Sequence, residues 1–484
     1  LEGHQVAPSS NEADQKLSRS ALVALVIGSM VGSGIFALPG SFGRATGALG
    51  AMIAWIIAGT GMLMLALVFQ ALSLRKPDLD AGIYAYAKAG FGDYLGFASA
   101  AGYWIGCCLA DVACLVLIKA TLGQFFPVFG DGTTPTAILS ASVLLWGVHF
   151  LVLRGIKGAA ALNTVATYAK VIPILLFIVV AILAMNGELF AKNFWGTEPP
   201  DIGSVFGQVR STMLLTVFVF VGIEGASVYS RYARNRDDIG IATVLGFLSV
   251  LCLLVLVTLL SYGVLSRQEL AALPTPSMAG VMQAMVGPWG SVFISIGLLI
   301  SILGNYLSWS LLAAEILHSA AVNRTMPSFL ASTNAHQVPV GALWLTNFVI
   351  QTFLLVTWFA EYAFMLALKM TSAMTLIPYF FVAAYGLKLA WLGETYGAGE
   401  RARAVDGVRS AIATVYAAGM IYAGGLKFLL LSSILYAPGT LLFFLAKRER
   451  KETTFMPLEA IMFAAVAIAA GAGIYALAAG AISI

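Results

Sequence analysis

Charge is what this sequence has least of. Of 484 residues only 10% are Asp, Glu, Lys or Arg, while 60% are hydrophobic; a soluble domain carries about 25% charged residues. A water-soluble fold of this composition would expose apolar patches large enough to aggregate. The four histidines, His4, His149, His318 and His336, are scattered, with no partner at metal-ligand or triad spacing. The four cysteines, Cys107, Cys108, Cys114 and Cys252, sit in apolar stretches without zinc spacing and read as small buried hydrophobes. No Gly-x4-Gly-Lys-Ser/Thr phosphate loop is present, which argues against an ATP-driven pump. The net charge of +4 comes with no basic block suited to nucleic acid. No catalytic constellation appears, so neither an enzyme nor a cofactor or metal is expected. Leu1–Arg19 is polar and the following apolar run is too long for a signal-peptide core, so no cleavable leader is expected either.

What fills the chain instead is long apolar runs, with a mean hydropathy of +0.90. Reading runs of about 17–25 residues or more as membrane spans, thirteen are predicted. They are 20–41, 47–74, 94–122, 136–153, 161–185, 205–230, 239–265, 288–318, 340–358, 362–387, 410–426, 428–446 and the Ala- and Gly-rich 458–484. Lys and Arg are unevenly shared between the two sides. Nineteen of the 27, including Arg19, Arg75, Lys76, Lys388, Arg409 and Lys447, fall on the side of the N-terminus. Arg44, Lys119, Lys192, Arg210, Arg267 and Lys427 fall on the other. The positive-inside rule then places the N-terminus in the cytoplasm of a multi-pass protein in the cytoplasmic (inner) membrane, with the bilayer as its main partner.

Two glycine-marked breaks interrupt the first and sixth spans: Gly32-Ser33-Gly34 and Gly222-Ile223-Glu224-Gly225. In lipid, a helix can unwind only where its freed N–H and C=O groups meet protein, water or substrate. Paired breaks in two halves are the sequence pointer to the binding site of a secondary transporter. Spans one to five and six to ten run in opposite directions, each set opening on a broken helix. The expected fold is therefore an all-α polytopic membrane protein with a five-plus-five inverted repeat and about 12–13 spans. It divides into a cytoplasmic tail (1–19), a transport core (20–387, repeats 20–185 and 205–387) and C-terminal helices (388–484). A channel would want a continuous polar stripe, and a receptor a soluble effector domain; neither is visible.

Particular segments resemble a known family. Gly28-Ser-Met-Val-Gly-Ser-Gly-Ile-Phe36 with Leu38-Pro39 resembles the first helix of the amino acid–polyamine–organocation transporters. Gly82–Gly92 resembles the loop after their second helix, Gly222–Ser227 their broken sixth and Ser308–Glu315 their eighth. The match runs in order over spans one to twelve, and is nearest to the basic amino acid antiporters that exchange arginine for ornithine or agmatine. The thirteenth span favours the arginine–ornithine branch. The resemblance implies a LeuT-like fold and a set of roles. Ser33 and Gly34 would hold the substrate carboxylate at the positive end of a half-helix. The carbonyls of Met30, Phe218 and Val221 would take the α-amine, and Trp309 would cover the cationic side chain. Cys107, Asp111 and Thr371 would meet its far end. Tyr103 and Tyr379 match gating aromatics, and Glu224 the acid that couples occupancy to opening. Phe218 stands where arginine–agmatine exchangers have Trp, and Asp111 where they have Asn. The assembly is left open, a homodimer included.

Charges inside predicted spans cost about 2.5–3.5 kcal/mol each at a helix centre, so each needs a partner or a cavity. Asp111 lies on one helical face with Cys107 and Tyr103. It reads as a structural pair with Lys369, as the counter-ion of a substrate cation, or as both. Lys170 sits where related transporters hold a sodium ion, which implies no sodium requirement; its alternatives are a protonation switch and a structural pair. The expected activity is antiport of cationic amino acids by alternating access. The alternatives are proton-coupled movement of lysine, histidine, agmatine or a neutral amino acid on the same fold, or of an acidic one that would use Lys369.

Overall fold

The computed structural model describes residues 19–79, 82–155, 159–197, 201–224, 237–360, 362–397, 399–453 and 455–482. Among them the chain is all-helical apart from one isolated β-bridge, Thr333 to Pro339. The helices are α1 (Arg19–Met30), α2 (Leu38–Ala45), α3 (Ala48–Arg75), α4 (Ile83–Phe91), α5 (Asp93–Gly123), α6 (Pro135–Leu153) and α7 (Ala159–Ala184). They continue as α8 (Gly187–Lys192), α9 (Ile202–Phe218), α10 (Asp237–Ser261), α11 (Arg267–Ala272), α12 (Ser277–Val286) and α13 (Pro288–Val322). Then come α14 (Val340–Val356), α15 (Ala363–Leu392), α16 (Arg401–Glu449) and α17 (Pro457–Ala478). Helices are what such a sequence must form, because only intrahelical bonds satisfy the backbone within lipid.

Among the described residues nine helices are long and apolar enough to cross a membrane, or ten when the bent pair Leu22–Met30 and Ser33–Ala45 counts as one. This is a multi-pass membrane protein. The number is lower than the thirteen predicted runs for three reasons, one being that of the predicted span 161–185 only the shorter apolar helix Tyr168–Ala184 is counted. α16 covers the predicted spans 410–426 and 428–446 as one run of 49 residues, but Gly425, with a left-handed φ of 77°, kinks it into two helices, so the two spans remain distinct. At about 1.5 Å per residue the two arms on either side of Gly425, residues 401–424 and 426–449, are each about 36 Å long, so each can cross a hydrocarbon core of about 30 Å. α9 is only 17 residues because the chain leaves the helix at Phe218; residues 225–230 of that predicted span lie outside the described part. So do residues 1–18 of the predicted tail. The predicted hydrophilic stretch 388–409 shrinks to 393–400, since α15 runs to Leu392 and α16 starts at Arg401.

α5 is the axis of the molecule. It is buried along nearly its whole length, between α13 and α15. α17 is the opposite case, with only Ala470 and Gly473 buried, as suits a helix with one face on the bundle and the rest toward lipid. The two ends of the bundle are fastened differently. At the Lys- and Arg-rich end, Arg75 pairs with Glu400 (2.8 Å) and Asp406 (3.1 Å), and Lys447 with Asp93 (2.6 Å) and Glu452 (3.0 Å). At the other end α2 packs on α11. There Arg267 donates to the carbonyls of Gly43 and Gly196, and Arg44 to that of Ala271.

Candidate functional site

The site begins at the two breaks. α1 stops at Met30, Gly32 is extended (φ −108°, ψ −165°), and a 3-10 turn over Ser33–Ala37 leads into α2. The axis bends by 48° across this gap. No side chain caps the turn at Gly32, so its first N–H groups lack a capping partner at the positive end of a helical dipole. The second break is tighter. After Phe218 the backbone winds through Phe220 N–H to Val217 O, Val221 N–H to Phe218 O and Ile223 N–H to Phe220 O. Gly222 follows with φ +107°, and a Cβ there would sit 2.5 Å from the Ser29 carbonyl oxygen. Only glycine permits both that dihedral and that approach. The two unwound segments therefore lie against each other.

Between them is a cavity lined by Ser29, Met30, Gly32, Ser33, Gly34 and Ile35 from the first break and by Phe218, Val219 and Val221 from the second. Ala110 and Cys114 of α5, Leu254 of α10, Asn305 and Trp309 of α13, and Thr371 of α15 complete it. Ser33 Oγ lies 4.0 Å from Cys114 Sγ. A Cβ on Gly34 would come within 2.9 Å of the Phe218 ring and of Val219.

Two polar clusters flank the cavity. On one side the buried Glu224 carboxylate accepts hydrogen bonds from the hydroxyls of Tyr103 and Tyr379 and from the Gly222 N–H (3.2 Å). It ties the second break to α5 and α15. On another, the buried Lys170 ammonium donates to the Gly28 carbonyl (2.8 Å) and to Asn305 Oδ1 (3.4 Å). Asn305 in turn lies against Gly32, whose added Cβ would be 3.3 Å from its Nδ2. Lys170 thus supports the end of α1, reaching the carbonyl that α1 leaves open and a side chain of the cavity wall.

Residues 17–466 match the amino acid permease family. The chain belongs to that family. It lies within the amino acid–polyamine–organocation superfamily, as the motifs implied. An arginine/ornithine antiporter of Pseudomonas aeruginosa is 54% identical to it, over 97% of this chain and 98% of that protein. An L-lysine transport protein of Corynebacterium glutamicum is 41% identical over 97% and 96%, respectively. An arginine/agmatine antiporter of Chlamydia abortus is 37% identical over 93% and 96%.

Of the residues singled out in the sequence, the permease brings Met30, Ser33, Gly34, Phe218, Val221, Trp309 and Thr371 to one cavity. Tyr103, Glu224 and Tyr379 form the cluster beside it. Cys107 and Asp111 are buried on α5 but do not line the cavity. The Asp111–Lys369 pair, one of the alternatives the sequence left open, is not formed among the described residues. Asp111 Oδ2 accepts instead from Ser310 (2.8 Å), while Lys369 is within electrostatic range of the like-charged Lys427 and Arg44. The reason is helix register. α15 starts at Ala363, so Lys369 is about 9 Å along it, near the end closed by α2 rather than at mid-span. No ion pair among the described residues includes Lys369. A double-mutant cycle on Asp111→Asn and Lys369→Met is therefore expected to give substrate-binding losses that add within about 0.3–0.5 kcal/mol. A coupling of several times that size would restore the pair.

Two residues escaped the sequence reading. Asn305 carried a signal, an amide in an apolar span one turn before Trp309, on the same helical face. Ser310 carried none, since a serine in a membrane helix is common and usually bonds its own backbone.

Proposed function

We propose that this permease exchanges cationic amino acids, arginine against ornithine, across the cytoplasmic membrane by alternating access. The 54% identity to an arginine/ornithine antiporter, over nearly the whole of both chains, carries this reading. The geometry supports it. Uncapped N–H groups at Ser33 and Gly34 suit a carboxylate, and the carbonyls of Met30, Phe218 and Val221 suit an α-amine. The indole of Trp309 suits a cation passing over its face. Asp111, Cys107 and Thr371 stand toward the far end of the side chain.

In this reading the helices form a LeuT-like five-plus-five inverted repeat with 12–13 crossings and a cytoplasmic N-terminus. α1–α2 and α9 are the broken members of the two repeats. Binding draws the unwound segments together, Glu224 transmits that closure to α5 and α15 through Tyr103 and Tyr379, and the bundle rocks. Arginine and ornithine carry the same charge, so their exchange moves no net charge and needs no ion gradient. The Lys170 ammonium stands in for a metal ion at the end of α1. Exchange is expected to persist when sodium is replaced by choline or potassium, and an absolute sodium requirement would contradict that role.

The L-lysine transport relative favours a second cargo, lysine, on the same site. Competition decides between them. Purified permease in ornithine-loaded liposomes takes up labelled arginine in the presence of excess unlabelled lysine, histidine, agmatine, leucine or glutamate. The proposal expects arginine and ornithine to compete best and glutamate not at all. Competition by leucine as strong as by arginine would overturn it.

A further inference from the structure

Asn305 of α13 lines the cavity half-buried, with one end of its amide held and the other without a partner. An amide oxygen only accepts hydrogen bonds and an amide nitrogen only donates them, so chemistry decides which end faces which neighbour. The buried Lys170 ammonium can only donate, and it donates to Asn305 Oδ1 (3.4 Å) as well as to the Gly28 carbonyl (2.8 Å). That contact turns Nδ2 the other way, toward Gly32, where an added Cβ would lie 3.3 Å from it. Among the described residues Nδ2 donates to no group. Two N–H bonds of an amide thus stand ready beside the residue that opens the 3-10 turn of the first break.

The surroundings say which acceptor belongs there. The turn over Ser33–Ala37 places the positive end of its dipole at Gly32 and offers its own first N–H groups. Lys170 adds to this from behind, since an ammonium polarises the amide it holds and makes the far N–H bonds stronger donors. No Asp or Glu lines the cavity to answer these donors. A carboxylate that arrives with the cargo does. We propose that Asn305 donates through Nδ2 to the α-carboxylate of the cargo, and that Lys170 keeps the amide facing that way. The proposal rests on the reading that puts this carboxylate at Ser33 and Gly34, and it adds a selection. Arginine and ornithine both carry the carboxylate; agmatine, which is arginine without its carboxyl group, does not. Asn305 therefore favours an amino acid over the corresponding decarboxylated amine.

The test is equilibrium binding of arginine, ornithine and agmatine to purified full-length permease, wild type against Asn305→Ala and Asn305→Asp. The thermal midpoint of each variant reports folding. Asn305→Ala removes both ends of the amide. Asn305→Asp keeps an acceptor for Lys170 but replaces the N–H donors with an oxygen that repels a carboxylate. Both variants are expected to lose about tenfold or more in affinity for arginine and ornithine, as for a hydrogen bond to a charged group, with Asp at least as poor as Ala. Agmatine should lose no more than about threefold, since it makes no such bond. If Asn305 only supported Lys170, the order would reverse, because a carboxylate holds an ammonium better than an amide does. Wild-type arginine affinity in either folded variant, a smaller loss for Asp than for Ala, or equal losses for arginine and agmatine would overturn the role of Asn305 alone. Where agmatine binds too weakly to follow, the order of the two variants decides by itself. Wild-type protein that binds agmatine as tightly as arginine would instead remove the carboxylate contact at Ser33 and Gly34, and this role with it. Wild-type protein that binds none of the three would overturn the cargo reading and the role together.

Discussion

Replacing Gly34 with valine is expected to abolish arginine binding and exchange while the protein stays folded. Gly34 lies in the 3-10 turn that opens the first break, and a Cβ there would press within 2.9 Å of Phe218 and Val219 on the facing break. Overpacking of this kind costs about 1–3 kcal/mol, which a bundle of this size survives. The damage is local, because the added methyls would occupy the space between the two unwound segments and cover the N–H groups proposed to hold the carboxylate. Gly34→Ala should retain part of the activity, since the atoms that must give way belong to the Phe218 and Val219 side chains and not to backbone. Binding isotherms together with thermal midpoints check both. Normal exchange by Gly34→Val would remove the carboxylate site from this turn.

The second large effect is at Asp111. Asp111→Asn keeps the shape and can still engage Ser310, but removes the charge. Affinity for arginine and ornithine should fall by about 1.5–3 kcal/mol, the worth of a hydrogen bond to a charged group. Binding of neutral amino acids should change much less. The structure makes this mutant easy to read, because Asp111 is not tied to Lys369 and no buried ammonium is stranded by the change. Equal losses for arginine and for a neutral amino acid such as leucine would mean that Asp111 only holds α5 against α13.

The breaks, the helices and most of the cavity were legible in the sequence, because each rests on a one-dimensional signal. Apolar length marks a helix, and Gly32-Ser33-Gly34 and Gly222 mark places where a helix cannot continue. The seven lining residues Met30, Ser33, Gly34, Phe218, Val221, Trp309 and Thr371 follow from those breaks and from the family motifs. What was not legible is which polar groups on neighbouring helices meet. Asp111 could be matched to Lys369 by depth alone, but contact also depends on the rotation and start of each helix. α15 begins within one residue of its predicted start, so Lys369 sits less than two turns into it, and α13 is turned so that Ser310 meets Asp111 of α5. Hydropathy is equally blind to Gly425. A glycine there reads as one of many in an apolar run, and only its left-handed backbone shows that it divides α16.

The most direct test of the central claim is the stoichiometry of counterflow. Liposomes containing purified permease are loaded with labelled ornithine and presented with differently labelled arginine at fixed ionic composition, and both fluxes are followed in the same vesicles. Strict exchange of like-charged cargo predicts one ornithine released per arginine taken up, no uptake into empty vesicles, and rates insensitive to an imposed membrane potential. Arginine accumulation in vesicles that contain no amino acid, or a ratio that shifts with potential, would contradict it.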